Sequence, residues 1–150
     1  MRIRSSSLGT PARGARLRRA NSTLALGAAF SFTAVPLDTV DWQYGGVLST
    51  TANAGGLTVV TPGVYRLSAR MRFTAGTAAI RGIGVYINGT VRAQFYGWGS
   101  NTRAQGADDF VLAAGDIVTL QAYTEAGSAN VFCDSPNDIG LTATYLGPTG

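Results

Sequence analysis

The chain has 150 residues, of which 45% are apolar, and this is enough for one domain with a buried core. All twelve basic residues are arginine, and the absence of lysine and histidine excludes lysine Schiff bases, histidine bases and histidine metal ligands. Cys133 is the single cysteine, so no disulfide can form within the chain and no oxidising compartment is required.

The formal charge of +4 is unevenly distributed along the chain. Six of the twelve arginines lie in the first nineteen residues, where there is no acid: Arg2, Arg4, Arg13, Arg16, Arg18 and Arg19. The remainder carries six arginines against eight acids, so the body of the protein is mildly acidic. The exclusive use of arginine is consistent with bidentate recognition of anions. It is equally typical of a GC-rich coding genome, which is the interpretation we favour.

Residues 1–29 are predicted to form a basic N-terminal arm that does not fold alone, because serine, glycine and proline lie among the arginines. A signal peptide is one interpretation, but its apolar run from Leu24 to Phe32 is diluted by Ser31. An arm that neutralises nucleic-acid phosphates is a second interpretation, which we disfavour. We favour a third, an arm that becomes ordered on a protein partner. Deletion of residues 1–20 is then expected to leave a folded domain with an unchanged melting temperature.

From residue 30 the sequence consists of predicted strands and turns, with no helix and no repeat. The predicted strands cover 30–35, 47–51, the pair within 57–73, 81–87, 91–96, 110–112, 117–124, 129–133 and 139–146. Residues 97–107 are predicted to form a loop. About eight to ten short antiparallel strands at this spacing predict an all-β fold for residues 30–150, as a sandwich or a jelly roll.

The most regular stretch follows Pro62-Gly63. Apolar residues occupy every second position at Tyr65, Leu67, Ala69, Met71 and Phe73, and the positions between them hold Arg66, Ser68, Arg70 and Arg72. Successive side chains of a strand point to opposite faces, so the first set is predicted to be buried and the second to lie outside the core. This long strand is the centre of the predicted fold.

The dipeptide Asn88-Gly89 is typical of a hairpin. A two-residue turn would set Val85 opposite Arg92, whereas a three-residue loop would set Val85 opposite Val91. A shift of one residue moves every side chain to the other face of the sheet. We therefore expect the three-residue loop, which keeps the apolar side chains together.

Four blocks in order resemble the C1q and tumour-necrosis-factor-like jelly rolls. Thr61-Pro62-Gly63-Val64-Tyr65 is similar to the step that opens that family's long central strand. Residues 83–92, 110–120 and 140–147 are similar to its strand ending in Asn-Gly, its Gly-Asp block and its closing strand. The resemblance covers about residues 30–148 and implies a compact homotrimer.

The sequence departs from the family in two respects: it has no collagen-like stalk, and Arg66 and Ser68 stand where aromatic residues are frequent. Members without a stalk occur in bacteria and tailed phages as virion surface or fibre proteins. The resemblance therefore implies a structural virion protein made in the host cytoplasm, a trimeric capsid decoration or head-fibre (minor capsid) protein. Its arm would dock on the major capsid protein lattice at the capsid surface, with no membrane partner. The alternative is the receptor- or glycan-binding head of a phage fibre or bacterial surface protein.

No catalytic site is predicted, because the acids lie mostly at turns and no nucleophile is paired with a base. Asp116 is expected to cap its own turn. Asp108, Asp109, Asp134 and Asp138 could offer oxygen ligands to calcium, but their spacing matches no dedicated loop, and neither a metal nor a cofactor is expected. The chain is therefore not expected to be an enzyme.

Three aromatic residues, Trp42, Tyr96 and Trp98, form the candidate surface for a ligand or receptor, with Tyr44 as a neighbour and the predicted loop 97–107 beside Trp98. Aromatic residues of this kind more often fill rims and interfaces, which is the interpretation favoured at this point. Cys133 is expected to be a small buried apolar residue. Gly82-x-Gly84 is expected to belong to a strand, since no helix follows it to make a phosphate loop.

Overall fold

A computed structural model describes residues 12–19, 23–26, 29–51, 55–74, 78–126, 130–132 and 138–150. The strands are β1 Gly14–Arg18, β2 Leu24–Ala25, β3 Ser31–Ala34, β4 Thr39–Tyr44, β5 Leu48–Ser49, β6 Leu57–Val59, β7 Gly63–Thr74, β8 Ala79–Ile87, β9 Thr90–Gly99, β10 Thr102–Leu112, β11 Ile117–Thr124, β12 Asn130–Phe132 and β13 Ile139–Gly147. Within these ranges there is no helix. None of these residues belongs to a helix that is long and apolar enough to cross a membrane.

The strands form two antiparallel sheets, which confirms the predicted all-β class. In the first sheet the order is β10-β7-β13-β1-β4, and β12 pairs with β7 beyond the end of β13 and carries β2 on its outer side. In the second sheet the order is β9-β8-β11, after which β6 and β3 lie end to end beside β11 and β5 pairs with β6. Strands β4 and β10 are thus edges of the first sheet, and β9 is an edge of the second.

The core lies between the two sheets and is organised by β7. Tyr65, Leu67, Met71 and Phe73 are each 0% exposed, as the alternation predicts. The side chains of Arg66 and Arg72, which lie between them on the strand, are 56% and 39% exposed. The predicted division of this strand into a buried face and an outer face is confirmed.

Strand β1 lies inside the first sheet, between β13 and β4. Its Ala15 and Leu17 are 0% and 2% exposed, and they belong to the hydrophobic core. The folded sandwich therefore begins before residue 30, where the domain boundary was expected, because β1 precedes that residue and belongs to the sheet. Residues 1–11 of the predicted arm lie outside the described residues. The two apolar side chains of β1 are too few to stand out among arginines, and the strand is held by pairing with the far end of the chain.

The predicted loop 97–107 is wrong, because β9 extends to Gly99 and β10 begins at Thr102. Two glycines in this range allow close packing between these two edge strands. A Cβ added at Gly97 would lie 2.9 Å from the carbonyl oxygen of Arg103, and one at Gly106 would overlap the ring of Phe95. Strand β4 was not predicted, because apolar and polar residues alternate only weakly along it.

The hairpin between β8 and β9 turns through two residues, so the expected three-residue loop is wrong. Asn88 and Gly89 have φ of 52° and 78°, the positive pair that a type I′ turn requires. A bulge next to Val85 and Tyr86 then restores the apolar match by placing Val85 opposite Ala93. A two-residue turn alone would pair apolar with polar positions, and the bulge corrects this register in place of a longer loop.

Candidate functional site

The outer face of the second sheet carries five aromatic side chains, which we call the aromatic face. Its members are Phe32 on β3, Tyr86 on β8, Tyr96 and Trp98 on β9, and Tyr123 on β11. Tyr123 is opposite both Phe32 and Gly82, and Gly82 is opposite Tyr96. Residues paired across antiparallel strands project from the same face, so pairing alone brings these side chains together.

Four of the five rings of the aromatic face contact one another in a chain. Phe32 and Tyr123 have ring centroids 5.0 Å apart, and Phe32 meets Tyr86 edge to face at 5.8 Å. Tyr96 meets Tyr123 edge to face at 6.1 Å. These distances and angles are those that aromatic pairs prefer, so the face is packed rather than loosely exposed.

Two glycines of β8 make room for these rings. A Cβ at Gly82 would lie 2.6 Å from the ring of Tyr96, and a Cβ at Gly84 would lie 2.6 Å from the ring of Tyr86. The rings therefore lie against the backbone of the sheet where side chains are missing. This explains the Gly82-x-Gly84 pattern and confirms that it belongs to a strand.

An open groove of about 500 Å³ lies at the β9 end of the aromatic face, lined by Ile80, Tyr96, Gly97, Trp98, Tyr123 and Glu125. Trp98 is 69% exposed and Tyr96 is 52% exposed. The groove has the volume of a typical small-ligand cleft and is open to solvent along its length. Its lining is mainly aromatic, with one carboxylate.

Hydrogen bonds hold the two tyrosine hydroxyls at the rim of the groove. The Tyr123 hydroxyl donates to Glu125 Oε1 at 3.5 Å, and the Tyr96 hydroxyl donates to Gln94 Oε1 at 2.5 Å. Partial removal from water, followed by the negative charge of Glu125, raises the pKa of Tyr123. Tyr123 therefore keeps its proton at neutral pH, and the groove presents hydroxyl and carboxylate groups beside apolar rings.

The predicted ligand surface is only partly assembled. Tyr96 and Trp98 come together in the groove, but Trp42 lies on β4, at the edge of the first sheet. There it stacks on Tyr44 with ring centroids 5.7 Å apart. Tyr123 and the other members of the aromatic face were missed, because only the pairing of distant strands brings them beside β9.

Four of the six arginines predicted for capsid docking make contacts within the folded domain. Arg16 and Arg18 lie 3.2 Å and 2.6 Å from the carboxylate of Asp41. Arg13 lies 5.0 Å from the ring of Tyr145, and Arg19 donates to the carbonyl of Pro36 at 3.4 Å. Arg2 and Arg4 lie outside the described residues. The docking role itself stays a prediction.

The described acids serve structural contacts. Asp116 accepts a hydrogen bond from the Ala113 amide at 2.8 Å, as expected for a turn cap. Asp109 pairs with Arg66 through both oxygens, and this hydrogen bonding lowers the pKa of Asp109. Asp108 accepts from the amide of Asp109. No group of three or more potential metal ligands occurs in the described part of the chain, which leaves out Cys133 and Asp134.

The strand order and the two-sheet packing define a tumour-necrosis-factor-like jelly roll, and the predicted resemblance is confirmed at the level of the fold. The structure is similar to that of murine APRIL at pH 8.0, with a TM-score of 0.67 and 19% identity over 90% of this chain and 99% of that one. It is also similar to Eiger TNF from S. frugiperda, with a TM-score of 0.64 and 14% identity over 94% and 96% of the two chains. At these identities the likeness concerns the fold alone. No family model and no curated protein matches the sequence.

Proposed function

We propose that this chain is a binding protein, the glycan-binding head of a phage fibre or bacterial surface protein. The observation that carries this proposal is the groove between Tyr96, Trp98 and Tyr123, with Glu125 at its rim. The chain acts by recognition and not as an enzyme.

The chemistry of the groove suits a sugar better than a flat apolar partner. Aromatic side chains offer apolar area together with a polar tip, and a sugar ring has an apolar face edged by hydroxyls. Glu125 can accept hydrogen bonds from those hydroxyls, while the rings of Trp98 and Tyr96 cover the apolar face. Trp98 is 69% exposed, and contact between its apolar ring and water is unfavourable. A bound ligand that covers the ring would remove this cost.

The active unit is a homotrimer. Support comes from the jelly-roll fold, whose first sheet ends in the edge strands β4 and β10 and whose second sheet ends in the edge strand β9. Closed symmetric assembly is a common way to protect such edges. Three grooves on one particle would also raise a weak glycan affinity through multivalency.

A glycan array probed with the purified protein tests this function, followed by titration of the best ligand. Trp98→Ala and Tyr96→Ala should each weaken binding by tenfold or more, roughly 1.4 kcal/mol. Tyr44→Ala is the matched control, because Tyr44 is an equally exposed tyrosine on the other sheet. Absence of glycan binding, or equal affinities for all three variants, would contradict the proposal.

A trimeric capsid decoration or head-fibre protein is the second candidate, with the capsid surface as its location. The observation that favours it is the acid-free segment before β1, which contains Arg2 and Arg4. Sedimentation with capsids of the full chain and of a variant lacking residues 1–11 tests it. Saturating attachment that is lost on this deletion, with no glycan binding, would make decoration the function.

A further inference from the structure

The outer face of the first sheet is strongly basic. Six arginines project from it or reach over it, and five of them interact with three aspartates. The arginines are Arg16, Arg18, Arg66, Arg70, Arg72 and Arg103, and the aspartates are Asp41, Asp109 and Asp138. Counted over these six arginines and three aspartates, the set carries a surplus of three positive charges. Such a surplus of positive charge on one face of a sheet favours the binding of an anion.

The three aspartates are already engaged by five of the arginines. Asp41 lies against Arg16 and Arg18, at 3.2 Å and 2.6 Å. Asp138 lies 3.6 Å from both Arg72 and Arg103. Asp109 pairs with Arg66 at 2.8 Å. Among the described residues, no acid forms an ion pair with Arg70, which lies in the middle of the group.

Arg70 lines a groove of about 450 Å³ that also presents the polar side chains of Ser68, Gln105 and Thr142. In the sheet Arg70 is opposite Gln105 on β10 and Gly140 on β13. A Cβ at Gly140 would lie 3.6 Å from Nε and Nη2 of Arg16, so the guanidinium of Arg16 reaches over this glycine toward the groove. Two guanidinium groups therefore flank a floor without a side chain.

The surroundings of Arg70 oppose its charge. Partial burial, followed by the positive charges of Arg16 and Arg103, lowers the pKa of Arg70. Like charges held together raise the free energy of the folded protein, and a bound anion removes that cost. Guanidinium groups bind oxyanions in a planar, bidentate geometry, which suits this arrangement.

We propose that this groove binds an oxyanion, the carboxylate, sulfate or phosphate group of a ligand or the free inorganic ion. Arg70 and Arg16 would hold its charge, while Ser68, Thr142 and Gln105 would donate hydrogen bonds to its remaining oxygens. This site lies on the first sheet, away from the aromatic face, and it does not depend on the glycan-binding proposal.

The test is isothermal titration of the full chain with inorganic sulfate, inorganic phosphate and glucuronate, each against sodium chloride at equal ionic strength. Arg70→Gln should weaken oxyanion binding by tenfold or more. Arg66→Gln is the matched control, since Arg66 lies on the same strand and face but pairs with Asp109 outside the groove. In chloride buffer Arg70→Gln should not lower the melting temperature, because it removes a like-charge contact.

Tightest binding of glucuronate would identify the carboxylate of a sugar ligand as the source of the oxyanion, and tightest binding of sulfate or phosphate would identify a sulfate or phosphate, free or esterified. Either result supports the site. A response to all three salts that equals the response to chloride would overturn the proposal, because it would reflect ionic screening alone. Equal affinities of Arg70→Gln and the wild type would overturn it as well.

Discussion

At the scale of single residues, Tyr65 links the core to the turns at one end of β7. Its side chain is 0% exposed, and its hydroxyl lies 2.7 Å from the Thr61 carbonyl oxygen and 3.1 Å from that of Val47. One hydroxyl proton serves both acceptors, so the shorter contact to Thr61 is the stronger one. Burial, followed by the neighbouring Tyr145, raises the pKa of Tyr65 to about 12.

Replacing this tyrosine tests the buried hydroxyl. Tyr65→Phe should lower the free energy of unfolding by roughly 1–2 kcal/mol, because the carbonyls of Thr61 and Val47 lose a shared donor. Tyr44→Phe, on an exposed side chain, should change it by less than about 0.5 kcal/mol. Chemical denaturation at neutral pH measures both, and equal effects would contradict the role assigned to the Tyr65 hydroxyl.

The raised pKa of Tyr65 also predicts an alkaline dependence of stability. The folded state holds the Tyr65 proton up to a pKa of about 12, whereas the unfolded chain releases it near the usual value of 10. Between these values the unfolded state binds fewer protons, so stability is complete below pH 10 and falls as pH rises through 12. Denaturation curves should show this loss for the wild type and a smaller loss for Tyr65→Phe. If Tyr65→Phe lost as much stability with rising pH as the wild type does, this prediction would be contradicted.

Gly82 provides a test of how the sheet supports the aromatic face. Gly82→Ala places a Cβ 2.6 Å from the ring of Tyr96, so the ring must move and roughly 1–3 kcal/mol of stability should be lost. Gly140→Ala is the control in the other sheet, because its Cβ would meet its nearest atoms at an ordinary 3.6 Å. Glycan affinity should fall for Gly82→Ala and stay unchanged for Gly140→Ala. Thermal melts that rank the two variants equally would contradict this account.

At the scale of elements, β1 decides where the folded domain begins. Deleting residues 1–11 should leave the melting temperature unchanged. Deleting residues 1–19 should abolish cooperative unfolding, because it removes two core side chains and leaves β13 and β4 without their shared partner. This replaces the expectation that a deletion to residue 20 is harmless. Circular dichroism melts of the two truncations distinguish them, and a stable fold in both would contradict the role of β1.

Strand β7 tests the assignment of faces. Leu67→Ala and Phe73→Ala should each cost roughly 2–5 kcal/mol, from lost transfer free energy and the cavity left behind. Arg66→Ala on the opposite face should cost much less than either core variant, since it removes only an exposed ion pair. Denaturant titration measures all three. A cost below about 0.5 kcal/mol for either core variant would show that the side chain is not in the core.

At the scale of the whole molecule, the proposed trimer is open to direct measurement. Light scattering of the full chain at micromolar concentration should give three times the mass of one chain, because assembly covers open strand edges. A stable monomer under these conditions would contradict the trimer. The single-chain tests of β1 and β7 would still stand.

The sequence by itself determined what depends on neighbours along the chain. Strict alternation after Pro62-Gly63 predicts the two faces of β7, and the turn residues Asn88-Gly89 and Asp116 predict where strands reverse. These features are local, since a strand side chain's direction and a turn's backbone angles depend on a few adjacent residues. The all-β class could be predicted for the same reason.

Only the tertiary structure decided which distant segments pair. It places β1 between β13 and β4 and extends β9 and β10 into the range 97–107 that was predicted to be a loop. It also shifts the pairing register of the hairpin with a bulge at Val85. It also separates Trp42 from Tyr96 and brings Tyr123 to the groove. Short strands gain their stability from partners far away in sequence, and cross-strand register depends on how both sheets bury their apolar faces together. That balance belongs to the whole fold and leaves no local signal in the chain.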